Sequence, residues 1–284
     1  MHLLARTLVA IVCSTCLVAK AAEPDCVPQT QVDVSTIGAQ IIVVGETHGT
    51  QEIPHFVEGL VCALVRAGKG VILGVEMNGD EQGPLNRYVG SVGSDQDRAE
   101  LTRSRFWRSQ CQYGQTSAAM LSLIDSVRRL SASGQRVGLL AIDAPNGADV
   151  PALGTDISPL STADKLLYGR LRDRGMADRV LSTALLRRDY TLVVLTGSLH
   201  ASTSKGNARD PEYLPLASVL EQQQSAFIIG FDAGAGSAWV ATREGCKAQE
   251  YGPRSHYVDG TRLDSRLWLA GISASPPAVA DLDR

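Results

Sequence analysis

The sequence lacks a long hydrophobic run beyond its first 22 residues, and it lacks any excess of basic charge. Its 284 residues contain 27 Lys and Arg against 30 Asp and Glu, which gives a net charge of −3. A nucleic-acid scaffold carries a basic face, so we expect no nucleic-acid partner. Charged residues make up 20% of the chain and hydrophobic residues 44%, an ordinary globular mixture with enough apolar material for a sizeable core.

Three common catalytic signatures are absent as well. The chain contains no G-x-S-x-G, no P-loop and no H-E-x-x-H sequence, so it does not indicate the enzyme classes that depend on these motifs. No internal repeat is visible either. Any functional site must therefore be assembled from residues that are distant in the sequence.

The first 21 residues predict a signal peptide. His2 and Arg6 begin it, and the mostly apolar stretch at 8–18 is too short for a permanent membrane helix. Residues 19–21, Ala-Lys-Ala, supply the small-x-small pattern of a cleavage site. We expect cleavage after Ala21 and a periplasmic or secreted mature chain without an integral membrane segment.

Four cysteines remain after this cleavage, namely Cys26, Cys62, Cys111 and Cys246. An even number in an oxidising compartment suggests two disulfides. Four cysteines allow three pairings, and the spacing does not choose among them. Our expectation is Cys26 with Cys246 and Cys62 with Cys111. No two of them have the close spacing of a zinc knuckle, so a cysteine metal site is not indicated.

Short apolar runs alternate with helical patterns along the mature chain. This alternation predicts an α/β fold, with a parallel β-sheet flanked by helices on both faces and a helical insertion after the second strand, at about 78–131. We expect one domain over 22–272, a hairpin turn at the glycine-rich stretch 230–236, and a flexible tail over 273–284. The predicted strands are 39–44, 71–75, 137–142, 191–195, 226–231 and 238–241, and the main predicted helices are 53–67, 117–130, 162–188 and 215–222.

Polar residues follow the predicted strands at the points where the strands end. Glu46 and His48 follow the first strand, Glu76 the second and His200 the fourth. Asp143 follows the third strand, where it also fits a turn cap. Because ligands bind outside the carboxyl ends of parallel strands, we expect these residues to converge at one edge of the sheet. Each histidine lies three residues after a glycine, in a G-x-x-H sequence.

Two imidazoles with two carboxylates suit two kinds of chemistry. Glu46, His48, Glu76 and His200 fit the ligands of a divalent metal such as zinc, manganese or iron. The same residues fit catalysis without metal, because a histidine beside a carboxylate is a general base near neutral pH. The sequence leaves these two alternatives open.

Five segments, in this order, carry a family resemblance. They are GETHGTQEIP at 45–54, the strand that ends at Glu76, RFW at 105–107 followed by YGQTSAAMLSLIDSVRRL at 113–130, RDRGMADRV at 172–180, and LTGSLHAS at 195–202. Together they resemble the erythromycin-esterase/ChaN-like group, which is distantly similar to the Tiki/TraB proteins. The resemblance covers roughly residues 38–232.

The resemblance implies a parallel α/β sheet with a helical insertion and a site built from the two G-x-x-H segments. It carries over Glu46, His48, Glu76, Arg172 and His200 as site residues. Members of the group differ in chemistry. Tiki/TraB-like proteins are regarded as metal-dependent proteases, erythromycin-esterase-like enzymes hydrolyse a macrolide lactone with a histidine base, and ChaN-like proteins bind haem.

Three hypotheses follow. The first is an exported hydrolase that cleaves an ester, lactone or peptide bond of a small-molecule or peptide substrate, with Arg172 holding a carboxylate or the developing oxyanion. The second is a haem- or iron-binding periplasmic protein, with a histidine or one of Tyr88, Tyr113 and Tyr168 as the iron ligand. The third is a non-catalytic binding protein on the same fold, because a fold does not fix a function.

Overall fold

The computed structural model describes residues 25–108, 114–143, 159–242, 245–255 and 260–279. The predicted signal peptide and Cys111 lie outside this part of the chain. The elements are β1 (Ile41–Glu46), α1 (Glu52–Arg66), β2 (Gly70–Asn78), α2 (Gln82–Val89), α3 (Asp95–Leu101), α4 (Arg105–Arg108), α5 (Ala118–Ala132), β3 (Val137–Asp143), α6 (Thr162–Leu186), β4 (Tyr190–Gly197), α7 (Leu216–Glu221), β5 (Ala226–Ala233), β6 (Gly236–Thr242), β7 (Gly245–Tyr251), β8 (Arg254–Ser255) and β9 (Ser265–Leu269).

The central sheet is mostly parallel, with the order β3-β2-β4-β1-β5. β9 pairs parallel with β5, and the short β8 pairs antiparallel with it. β1 lies between β4 and β5 and is buried at every position, as its unbroken apolar run predicts for a central parallel strand. The predicted α/β class with a mostly parallel sheet is therefore confirmed.

Alternate residues of β1 enter two separate hydrophobic clusters. Ile42 and Val44 belong to a cluster that includes residues of α1 and α5. Ile41 and Val43 belong to another that includes residues of α6 and α7. Successive side chains of a strand point to opposite faces, so β1 contributes to the core on both of its sides and is held rigidly at its carboxyl end.

The segment between β2 and β3 contains α2, α3, α4 and α5 among the residues that the structure covers. Ser117 caps α5 by accepting a hydrogen bond from the backbone N–H of Met120. No helix in the described ranges is long and apolar enough to cross a membrane.

The glycine-rich stretch 230–236 is not the hairpin turn that we expected. β6 pairs antiparallel with β7 in a separate two-stranded sheet, whereas β5 stays in the central sheet. The physical reason lies in the close approach of the backbone near the C-terminus. A Cβ atom on Gly234 would clash with the carbonyl of Ala270, and one on Gly236 with the carbonyl of Ile272. These glycines make room for a neighbouring chain segment rather than for a tight turn.

The flexible tail expected from residue 273 is also not what the described part shows. Ser275 N donates to Gly49 O at 2.8 Å, and Ala118 N donates to Pro276 O at 2.8 Å. Residues 273–279, which we name the C-terminal strap, therefore join the loop after β1 to the start of α5. Main-chain hydrogen bonds of this kind do not depend on side-chain identity, so the Pro- and Ala-rich composition does not reveal them.

The expected disulfide pairing is wrong. Cys26 is bonded to Cys62, at a sequence separation of 36 and with 5.9 Å between their Cα atoms. This bond excludes both expected pairs. Cys246 is disulfide-bonded as well. The Cys26–Cys62 bond fastens the segment that precedes β1 to the buried face of α1, which agrees with an exported protein.

Candidate active site

The carboxyl ends of three adjacent strands bring the predicted site residues together. Glu46 is the last residue of β1, and its register partner is Gly197 at the end of β4. Glu76 is near the end of the neighbouring β2. Both carboxylates are only 3% exposed, so a compact, largely buried polar cluster forms where the sheet ends.

His48 is oriented by the carboxylate that precedes it. Its Nδ1 lies 2.8 Å from Oε1 of Glu46, and its Nε2 lies 3.4 Å from Oε2 of Glu76. The ring approaches Gly197 so closely that a Cβ atom there would stand 2.9 Å from Nε2. The glycine of the second G-x-x-H sequence therefore makes room for the histidine of the first.

Glu76 is the centre of the cluster. Its Oε2 accepts hydrogen bonds from Thr196 Oγ1 at 2.7 Å and from Gly197 N at 2.9 Å. Its Oε1 accepts from Arg172 Nη2 at 2.6 Å and from Gln115 Nε2 at 3.2 Å. Four donors hold this side chain ionised and fixed in position, as a buried carboxylate requires.

Arg172 reaches the cluster from α6 and binds two carboxylates at once. Besides the contact with Glu76, its Nε and Nη2 donate to Asp143 at 2.8 to 3.2 Å. Asp143 is fully buried, so this pair explains why a carboxylate follows β3. Nη1 of Arg172 faces Nε2 of His200 at 3.3 Å.

His200 is oriented by a carboxylate that the sequence analysis did not select. Its Nδ1 lies 2.8 Å from Oδ1 of Asp173, and its Nε2 lies 3.8 Å from Oε1 of Glu76. Glu76 is thus bracketed by the Nε2 atoms of two histidines, His48 and His200. A carboxylate stands behind the Nδ1 atom of each.

The excess of carboxylates controls the pKa values in the site. Burial lowers the pKa of His48, but Glu76 and Glu46 outweigh burial and raise it to about 10. Burial likewise lowers the pKa of His200, and Asp173 and Glu76 raise it above its ordinary value. His48 is therefore cationic at neutral pH.

The pKa values of Glu76 and Arg172, the two groups between the histidines, shift in opposite directions. Burial raises the pKa of Glu76, but His48, His200 and Arg172 hold it well below its ordinary value. Burial lowers the pKa of Arg172, and Glu76 and Asp143 hold it well above its ordinary value. Both groups stay charged over the whole physiological range, so the cluster keeps a fixed electrostatic field.

All five residues carried over by the resemblance lie within one connected network, and Asp143 joins them. Sequence reasoning missed Gln115 and Asp173. Gln115 Nε2 contacts both Glu76 and Nε2 of His48, the latter at 3.2 Å. A signal existed for Asp173, because it directly follows Arg172 in a segment of the resemblance. No sequence signal distinguishes Gln115 from its polar neighbours.

The donor set does not fit a resident metal ion. Within the described ranges, no group of three or more His, Cys, Asp or Glu side chains is arranged to hold one. The guanidinium of Arg172 already fills the place of a cation between Glu76 and Asp143, at 2.6 and 2.8 Å. Glu46 contacts the Nδ1 atom of His48 at 2.8 Å, which makes it an outer partner of the ring and not a ligand of an ion at Nε2.

The tyrosines expected for haem differ in their surroundings. Tyr88 is 2% exposed and donates a hydrogen bond to Asp125 at 2.7 Å, so it is committed to the protein core. Tyr113 lies outside the described residues. Tyr168 is partly exposed and lies one helical turn before Arg172 on α6. Haem binding stays a prediction, since no observation in the described ranges favours it.

The comparisons with known proteins show the fold. No protein-family model matches the chain, and no curated protein matches it. A succinoglycan biosynthesis protein is similar in structure, with a TM-score of 0.61 and 11% identity over 84% of this chain and 89% of that one. A Bacillus cereus protein gives 0.57 and 12% identity over 85% and 90%. A mutant erythromycin esterase in its open conformation gives 0.52 and 14% identity over 76% of each chain.

Proposed function

We propose that this chain is an exported hydrolase that uses water to cleave an ester, lactone or peptide bond at the sheet edge. The observation that carries the proposal is the pair formed by Glu46 and His48. The carboxylate holds Nδ1 of the ring at 2.8 Å and leaves Nε2 facing the buried cluster around Glu76. An imidazole that is oriented through one nitrogen and presented through the other is the arrangement needed for proton transfer.

The charge of His48 indicates the direction of its proton transfer. Its pKa is raised to about 10, so at neutral pH the ring carries a proton on Nε2 as well as on Nδ1. We assign His48 the role of giving that proton to the leaving oxygen or nitrogen as the bond to the acyl carbon breaks. After this transfer His48 takes up a new proton from solvent, because Glu46 and Glu76 favour the cationic ring.

Arg172 fits stabilisation of the developing oxyanion. Its Nε and Nη2 are bound to Asp143 and Glu76, which fix the plane of the guanidinium. Among the described residues Nη1 has no carboxylate partner, and it points towards His200. A donor that is fixed in advance and aimed at developing charge contributes more to the rate than a mobile one.

The fold agrees with this proposal but does not decide it. One of the structures that share the fold is an erythromycin esterase, and an ester or lactone substrate is therefore our first choice for a screen. A shared fold supports many chemistries, so the assignment depends on the Glu46–His48 pair. We derive no step through a metal ion, because Arg172 occupies the position of the cation between Glu76 and Asp143.

The remaining features of the chain are included in the proposal. We infer a single α/β domain over 22–272 with helices on both sheet faces and an insertion at about 78–131. We also infer removal of residues 1–21 as a signal peptide. The Cys26–Cys62 disulfide supports an oxidising compartment.

The test is a screen of chromogenic esters, lactones and short peptides with the parent, His48→Gln and His55→Gln. His55 is the matched control because it lies on α1 with its side chain 84% exposed and contacts Glu58 of the same helix at 3.6 Å. We expect hydrolysis by the parent and by His55→Gln, and a loss of about 100-fold or more in His48→Gln. A folded parent that hydrolyses nothing in the screen, or equal rates in all three proteins, would overturn the proposal.

A further inference from the structure

A second buried network lies behind His200, on the side away from Glu76. Asp173 is completely buried on α6. Its Oδ1 accepts from Nδ1 of His200 at 2.8 Å and from Leu216 N at 2.7 Å, and its Oδ2 accepts from Tyr213 Oη at 2.7 Å. The proposed function has so far given this network no role.

We propose that Asp173, supported by Tyr213, is the positioning residue that holds His200 with the lone pair of Nε2 towards the reacting atoms, so that His200 takes the proton of the attacking water. This inference rests on the proposed hydrolysis for its chemical step. The orientation of His200 does not depend on the hydrolysis, because it is inferred from the hydrogen bond at Nδ1 of the ring.

The hydrogen bonds fix which nitrogen of His200 carries the proton. A buried carboxylate can only accept, so the atom of His200 that meets Asp173 must be Nδ1–H. Tyr213 donates to the same carboxylate, and burial together with Asp173 raises the pKa of its hydroxyl, so it keeps its proton. On the opposite side of the ring, Nη1 of Arg172 offers a hydrogen to Nε2 at 3.3 Å. This contact is compatible with a lone pair on Nε2, which is the form of the ring that can accept a proton.

Two separate parts of the chain support this ring. Asp173 lies on α6, whereas Tyr213, Leu216 and Ala217 lie at the start of α7 or just before it. Leu216 N donates to Asp173 at 2.7 Å, and Ala217 N donates to the backbone carbonyl of His200 at 3.0 Å. Interactions of this number, made by rigid elements, hold a catalytic group within the small tolerance that proton transfer needs. Glu46 supports His48 with a single contact at Nδ1, so the two histidines are not equivalent.

The two histidines then divide the proton transfers of one hydrolysis. The oxygen of water bonds to the acyl carbon while one of its protons passes to Nε2 of His200. The bond between the acyl carbon and the leaving group breaks, and the leaving atom receives a proton from Nε2 of His48. The products are an acid and an alcohol or amine, and solvent returns both rings to their starting charge.

The first experiment reads the ring directly and needs no substrate. In the full chain with isotope-labelled histidine, nitrogen NMR reports which ring nitrogen of neutral His200 is protonated, with His200→Asn identifying its signals. We expect the proton on Nδ1 in the parent and a mixture of both forms in Asp173→Ala. A parent protonated on Nε2 when neutral, or an unchanged ring in Asp173→Ala, would overturn the inference whether or not hydrolysis is found.

The second experiment measures kcat and KM with a substrate from the screen. We expect Asp173→Ala to lower kcat by about 100-fold with little change in KM, as for the loss of a positioned base. Asp173→Asn should recover about tenfold of that loss. Its amide oxygen can still accept from Nδ1 of His200 and from Leu216 N, while Tyr213 turns to accept from the amide nitrogen.

The chain offers a closely matched control. Tyr88 donates to the buried Asp125 at 2.7 Å, the same distance as between Tyr213 and Asp173. Asp125 also accepts from Arg128 and Arg129, which lie outside the site. Asp125→Ala should destabilise the fold without moving kcat. Should Asp173→Ala fail to fold, Tyr213→Phe and Asp173→Asn carry the test, and a folded Asp173 variant with kcat within about threefold of the parent contradicts the role.

Discussion

Replacing Arg172 by methionine should destabilise the protein far more than removing an exposed ion pair. The guanidinium lies between two buried carboxylates, with Nη2 2.6 Å from Glu76 and 2.8 Å from Asp143. Removing one partner of a buried pair costs about 3–5 kcal/mol, because the remaining charge has no compensation. For a protein of this size that corresponds to a fall in Tm of about 10 °C.

The matched control is Lys205→Met. Lys205 pairs with Glu212 at 2.5 Å, but the two side chains are 51% and 61% exposed. Solvent screens such a pair, so we expect Lys205→Met to change the free energy of unfolding by no more than about 1 kcal/mol. The measurement is chemical denaturation of the parent and the variants. The comparison requires that the free energy of unfolding falls with denaturant concentration at the same slope in each protein.

The pH dependence makes the Arg172 prediction sharper. Burial raises the pKa of Glu76 while the two histidines and Arg172 lower it below 4.5. A lowered carboxyl pKa contributes stability that is present above the ordinary pKa and is lost as the pH falls. The difference in the free energy of unfolding between the parent and Arg172→Met should therefore be largest above about pH 5 and should become smaller in acid. A difference in the free energy of unfolding below about 1 kcal/mol at neutral pH, or a difference that grows in acid, would refute the proposed interactions of the buried cluster.

Three further predictions follow from the same structure. The rate of hydrolysis should rise with pH as His200 loses its proton above 6.5, and should fall again near pH 10 as His48 loses its own; a flat profile contradicts the division of roles. Removing the C-terminal strap after Ile272 deletes backbone hydrogen bonds to Gly49 and to the start of α5, so the rate should fall about tenfold or more through misplacement of His48; an unchanged rate in the folded, truncated chain contradicts this. Replacing Cys26 and Cys62 by serine opens a loop with a sequence separation of 36, so the free energy of unfolding should fall by about 4 kcal/mol, measured by denaturation under oxidising conditions; an unaltered midpoint contradicts it.

The sequence was sufficient for β1 to β6, because each of them contains a short apolar run. The alternation of strands and helices determines that the carboxyl ends meet at one edge, which is why Glu46, Glu76 and His200 were found together although their sequence separation is large. β7 and β8 were missed because most of their residues are exposed or polar, so they show no apolar period. β9 was missed as well, although Leu267 belongs to the core and Leu269 packs against it.

Contacts between distant segments could not be predicted from one sequence. Asp173 lies beside Arg172 in one sequence segment, but its partners Tyr213 and Leu216 come from a later segment, so the segment alone does not reveal the contacts that Asp173 makes. The pairing of Cys26 with Cys62 depends on where the chain before β1 crosses α1. Hydrophobic periodicity reports the face of an element but not which neighbour covers it.

The most direct test of the central claim is the rate of hydrolysis after exhaustive chelation. In the proposed mechanism Arg172 is the cation of the site and binds Glu76 and Asp143. His48 and His200 carry out the proton transfers. With the best substrate of the screen, this mechanism predicts the same kcat/KM before and after removal of divalent ions, and no gain on adding zinc, manganese or iron. A rate that disappears on chelation and returns with one of these metals would contradict it.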